Sequence, residues 1–141
     1  MDVDFHDAAN RHWEDAGHLL IDQRLANADQ LFGIAAECAL KAIMHALNII
    51  TLDANGKPRE GECRIHINNL WKEFETLVQN RGGARYAAML DKTMNPFDDW
   101  KVDQRYDHRS TFTEAKVENH RHAAERTMSV LQYAIMDGVI V

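Results

Sequence analysis

The sequence predicts an all-α protein, an up-and-down bundle of four to five helices in a single domain covering residues 1–141. Three observations carry this. Apolar residues recur at spacings of three and four along several stretches, which is the period of one buried helix face. No stretch shows a convincing strand pattern, and there is no internal repeat or low-complexity tract. The turn signals, Asn55-Gly56, Lys57-Pro58, Gly82-Gly83 and Asn95-Pro96, fall between the periodic stretches rather than within them.

In order, a first helix is expected from a cap at Asp2 or Asp4 to about Asp22. Phe5, Ala9, His12, Ala16 and Leu19 share one face, widened by Trp13 and Leu20. A short polar break leads into Leu25–Ile50, apolar on almost every side from Leu31 onward. Its polar residues Glu37, Lys41, His45 and Asn48 follow at four, four and three, so on a helix they form one narrow seam. A helix apolar except along a seam is the central helix of a bundle, and the brief link before it predicts an antiparallel hairpin. Residues 51–64 read as an exposed loop. A third helix follows over Ile67–Gln79, with Ile67, Leu70, Phe74, Leu77 and Val78 buried, and Gly82-Gly83 stops it. A shorter helix is expected over Ala84–Asp91. After it, Phe97, Trp100 and Tyr106 stand among charges in an irregular segment, which predicts a segment pinned to the body. Thr111-x-x-Glu114 is a capping-box signature for a last helix buried along Val117, His120, Ala124, Met128, Leu131 and Ile135 and ended by Asp137-Gly138.

A chain of 141 residues can bury a core without metal or disulfide staples. Its net charge of −6 argues against a protein that coats nucleic acid by bulk charge, though not against a local basic pocket. No DNA-specific signal is present. Two cysteines, Cys38 and Cys63, make no framework, which predicts a reducing, cytoplasmic setting. The start MDVDFHDAAN is acidic and polar, unlike a signal or transit peptide. The central apolar run approaches membrane-spanning length, but Glu37, Lys41 and His45 in its middle predict burial in protein and no membrane association.

Two groups of residues could carry chemistry. Glu37 and Lys41 are an acid and a base four apart. Either they form a solvated pair worth about 0.2–0.5 kcal/mol, or the apolar flanks bury them and force them to find partners. Arg105-Tyr106-Asp107-His108-Arg109-Ser110 sets two guanidiniums, an imidazole, a phenol and a hydroxyl ahead of a helix start. Arginine offers planar bidentate donors and a helix terminus adds free N–H groups, so the cluster suits a phosphate. The rival reading is a surface loop whose arginines pair with Asp98, Asp99, Asp103 or Asp107. His12 and His120, on apolar stripes, read as hydrogen-bonded core or interface histidines. No His-x-x-x-His pair, Glu-x-x-His pair or phosphate-cradling glycine loop exists, so no metal and no cofactor is expected.

Taken together, the chain resembles a HEPN domain. Trp13 and Leu19-Leu20 of the first helix, Ala35-Ala36-Glu37-Cys38-Ala39-Leu40-Lys41-Ala42 of the second, His66 with Leu70, and Arg105-Tyr106 before the last helix carry the likeness, which spans nearly the whole chain. The resemblance implies a homodimer of helical bundles that binds a nucleotide or RNA, or partners a minimal nucleotidyltransferase. Active members are metal-independent ribonucleases, as in toxin–antitoxin pairs, with an Arg followed by a His at the last helix and four to six residues between them. Here only two residues separate Arg105 from His108. Arg11–His18 and Arg59–His66 have the spacing in the wrong places. The catalytic motif is therefore degenerate, and binding without efficient catalysis is expected. In that reading Glu37, Lys41, Tyr106, Arg109 and Ser110 bind the ligand beside Arg105. Two rivals are a ribonuclease in which Arg105 and His108 are catalytic, and a pure protein interaction module.

Overall fold

In the computed structural model, which describes residues 2–141, the regular structure is helical apart from one isolated antiparallel bridge between Leu52 and Pro58. Among the described residues no helix is long and apolar enough to cross a membrane.

Helix α1 (Phe5–Ile21) starts at Asp4, whose carboxylate accepts from Asp7 N at 2.9 Å. Gln23, at φ 61°, reverses the chain, and Arg24 N bonds back to Leu19 O at 2.8 Å. Helix α2 (Leu25–Ala46) then runs antiparallel to α1: Trp13 meets Phe32 edge-on at 5.5 Å, and Phe5 meets His45 at 6.1 Å. The expected hairpin forms, and α2 is its buried member. It packs against α1, α3 (Ile67–Val78) and α5 (Glu114–Met136), with Phe32, Leu40, Ile43 and Met44 fully enclosed. Each such side chain contributes about 1.5–3 kcal/mol on leaving water.

The apolar run extends past the end of the helix. Asn48 takes φ 62°, a left-handed conformation that stops a helix, and Ile49 N and Ile50 N fold back onto Met44 O. Ile50 is thereby buried from a turn. Helix α4 is likewise shorter than expected, Ala84–Ala87, because the chain tightens into three-residue turns as Met89 N and Leu90 N bond Tyr86 O and Ala87 O. The last helix starts two residues later than the capping-box pattern suggests. Thr113, not Thr111, is its cap, accepting from Lys116 N at 3.2 Å, while Thr111 closes a 3-10 turn over Arg109–Thr111. Phe112, buried between the two, takes up the difference.

The aromatic segment between α4 and α5 is pinned to the body as expected. Phe97 and Trp100 are buried, the latter lying on α2 with its indole N–H donating to Asp29 O at 3.0 Å. The approach is so close that a Cβ on Gly33 would clash directly with the indole ring of Trp100. A glycine in mid-helix, unfavourable by about 1 kcal/mol relative to alanine, is here the notch that admits Trp100. Tyr106 departs from the pattern: it is 76% exposed.

Candidate functional site

Helix α2 presents three polar clusters, and they differ in how their charges are satisfied. The first is the seam. Lys41 Nζ donates to Glu37 Oε2 at 2.9 Å and to Cys63 O at 2.6 Å, with the two side chains only 5% and 12% exposed. The other carboxylate oxygen, Glu37 Oε1, accepts from Ile67 N at 3.0 Å and lies 3.1 Å from His66 Nδ1. Of the two readings of the pair, the buried one holds. Glu37 satisfies the first free N–H of α3, where a carboxylate is favoured, and Lys41 ties down the loop after α2. Both groups are fully used inside the protein. Neither reaches the Arg105 cluster, which lies at the other end of α2: Glu37 is twelve residues beyond Leu25 (37 − 25 = 12), about 18 Å along the helix at 1.5 Å per residue. The pocket expected between the seam and Arg105 does not form, because the seam's groups have closer partners in residues 63–67.

Of the second cluster the sequence showed only His120, expected as a hydrogen-bonded core or interface histidine and found buried and bonded on both nitrogens; its partners were not visible. Asp29, fully buried, accepts from Gln104 Nε2 on Oδ2 at 2.6 Å and from His120 Nδ1 on Oδ1 at 2.6 Å. His120 Nε2 bonds Asp99 Oδ1 at 2.7 Å, and Phe97 stacks on the imidazole at 5.3 Å. The protons can be placed. Gln104 Oε1 accepts from Lys101 N, so its other end is the amide donor, and Asp29 accepts on both oxygens as a carboxylate. A ring between two carboxylates carries a proton on each nitrogen. Burial pushes the pKa of His120 down, but the hydrogen bonds and charges of Asp29 and Asp99 outweigh it and hold it above 6.5. His12 has no such partners, and burial, aided by Arg11, moves it below 6.5.

The third cluster is open. A groove of about 560 Å³ runs between the start of α2 and the segment after Gln104, lined by Gln23, Arg24, Leu25, Ala26, Asn27, Gln104, Arg105, Asp107, His108 and Arg109. Arg24 caps α2 without a side-chain bond, and the first turn holds no acid, so the N–H groups of that turn face outward unmatched by a cap. Arg24, Arg105 and Arg109 form no ion pair with any carboxylate among the described residues; Asp99, a candidate partner, is taken by His120. Arg105 lies 4.9 Å over the ring of Tyr106. His108 Nδ1 accepts from Ser110 N at 3.2 Å and sits 2.9 Å from Ser110 Oγ, so the neutral ring carries its proton on Nε2.

Of the residues expected to form a site, the structure therefore gathers Arg105, His108 and Arg109 in one groove, with Tyr106 and Ser110 beside them. Glu37 and Lys41 stand apart. Arg24 and the open first turn of α2 were missed, although a helix start lacking Ser, Thr, Asp or Asn at its cap was a readable sign of unmatched N–H groups. The Cys38 thiol is pushed up to about 11 by burial and by Glu37, which leaves it unreactive. Among the described residues no three His, Cys, Asp or Glu side chains converge as metal ligands. No family model, curated protein or solved structure matches this chain.

Proposed function

We propose that the groove at the start of α2 binds the phosphates of a nucleotide or of single-stranded RNA, in a HEPN-like domain that holds its ligand without efficient cleavage. The observation that carries this is three guanidiniums, of Arg24, Arg105 and Arg109, lining one groove with no carboxylate paired to them. Unpaired arginines beside the open end of a 22-residue helix favour an oxyanion both by charge and by directed N–H groups. The volume falls in the range of small-ligand sites, about 300–1,000 Å³. Exposed Tyr106, with Arg105 above its ring, offers a base a stacking surface.

Binding is favoured over cutting by the state of His108. Its Nδ1 is occupied by Ser110, so in the neutral form Nε2 is a donor, suited to a phosphate oxygen. A base that removes a ribose 2′-hydroxyl proton needs a free lone pair instead. In this reading the domain acts in a cytoplasmic setting, as a homodimer or beside a minimal nucleotidyltransferase, as the HEPN resemblance implies.

The test is fluorescence anisotropy with single-stranded RNA and with nucleotides at low salt. Wild type binds, and Arg105→Ala and Arg109→Ala each weaken binding and reduce the salt dependence by about 0.7 in log–log slope. Wild type that binds nothing across such a panel contradicts the proposal. RNA cleavage insensitive to chelator and abolished by His108→Ala would establish the ribonuclease reading in its place.

A further inference from the structure

The segment that supplies Arg105, His108 and Arg109 to the groove is held in place through Asp29 and His120. Trp100 and Gln104 anchor it to the carbonyl and the carboxylate of Asp29, and Asp99 anchors it to His120 of α5. Arg105 follows Gln104 directly in the chain, so the guanidinium is positioned by the residue before it. We propose that protonation of His120 sets the position of the Arg105–Arg109 segment, and with it the capacity of the groove for phosphate groups. The second half of this rests on the phosphate reading of the groove given above.

The geometry makes the coupling directional. The charged groups acting on the ring are Asp29 from α2 and Asp99 from the aromatic segment; α1 and the rest of α5 add no ion-pairing partner. With both nitrogens protonated, the imidazolium bridges the two carboxylates. Loss of one proton turns one nitrogen into a lone pair facing a carboxylate oxygen at hydrogen-bond distance, which is repulsive. The two ends do not yield equally. Asp29 is fully enclosed and held on both oxygens, whereas the Asp99 side chain is 63% exposed and can turn to water. The remaining proton therefore stays toward Asp29, and the Asp99 bond is the one that breaks. That bond ties the turn at 97–101 to α5, so its loss removes one of the segment's three anchors and leaves it held to Asp29 of α2 alone, by Trp100 and Gln104.

The sign is fixed by the direction of the His120 shift. A histidine raised above 6.5 in the folded protein contributes stability that is complete below 6.5 and is lost as pH rises through the raised value. The groove is thus ordered below the raised value of His120 and loosened above it.

The experiment follows two readouts on the whole protein from about pH 6 to about pH 9, a span that starts below the ordinary histidine value and extends well above it. One is hydrogen exchange of the Trp100 indole N–H and of backbone amides 97–109, corrected for intrinsic base catalysis. The other is binding of an oligoadenylate, whose phosphodiesters do not titrate in this span. We expect protection to fall in a single step and RNA affinity to fall about tenfold with the same midpoint. Asp99→Asn, a substitution at an exposed side chain, removes one negative charge from the imidazolium and moves both midpoints to lower pH. His120→Gln, if it folds, abolishes the step. Protection that does not change with pH, or a step that Asp99→Asn leaves in place, overturns the proposal. RNA affinity that stays constant through an intact step overturns the coupling to the groove. RNA that fails to bind at any pH, with the step present, overturns the phosphate reading and leaves the clamp on the segment standing.

Discussion

Helix α2 carries charge at Glu37 and Lys41 and, half a helix away, ends in a groove lined by Arg24, Arg105 and Arg109. The first region is closed. Glu37 Oε2 accepts from Lys41, and Glu37 Oε1 and the ammonium of Lys41 have further partners in residues 63–67. The second is open, with three guanidiniums in no ion pair, beside one carboxylate, Asp107, in the same groove, and a helix start that no side chain caps. The difference teaches where a function can reside. Buried charges must be satisfied on folding, so the closed region has nothing left to offer a ligand. Solvated charges cost little unpaired and retain their full capacity for one. The Asp29–His120 cluster belongs with the closed region in its bonding, but it ends at Asp99 on the surface and is attached to the segment that lines the open one.

The comparison breaks most readily at its buried side. His120→Ala should cost about 3–5 kcal/mol in urea unfolding, because it leaves Asp29 enclosed and short of a partner. A loss within about 0.5 kcal/mol, the range of ordinary surface changes, would mean that the cluster is not closed. Lys41→Met should cost about 2–4 kcal/mol by removing the cation beside a mostly buried Glu37, with increased hydrogen exchange at the start of α3 and no change in RNA affinity. Gly33→Ala should cost about 1–3 kcal/mol as Trp100 is forced off α2, and the Trp100 emission should shift to the red. A shift without loss of stability would show that the notch serves the segment alone. Smallest in stability are Arg105→Ala and Arg109→Ala, each within about 0.5 kcal/mol of wild type, although on the proposed phosphate reading each should weaken RNA binding.

How far these regions could be read from the chain depended on the distance between partners. The helices were legible because their apolar stripes are local, and Asp4 and Gly82-Gly83 marked their ends in the expected way. Glu37 and Lys41 were legible as a pair at four residues, but their other partners, Cys63 O and Ile67 N, are backbone groups that sequence spacing does not display. The pairing of Asp29 with His120 joins positions 91 apart, so His120 was legible as a hydrogen-bonded core histidine but its partner was not. Trp100 stood out as a tryptophan among charges, whereas Gly33 was one more small residue of the apolar helix. Only the packed structure makes each the reason for the other. At the groove, Arg105, His108 and Arg109 were found by their clustering. Arg24 was missed because it arrives through the α1–α2 turn rather than from the same segment.

The most direct measurement sets the two regions against each other: RNA affinity and thermal midpoint, measured together for wild type, Lys41→Met and the double variant Arg105→Ala/Arg109→Ala. Lys41→Met should lower the midpoint and bind as wild type, while the double variant should keep the midpoint and lose most of its binding. RNA binding that falls with Lys41→Met but survives the loss of both arginines would contradict the assignment of function to the open groove.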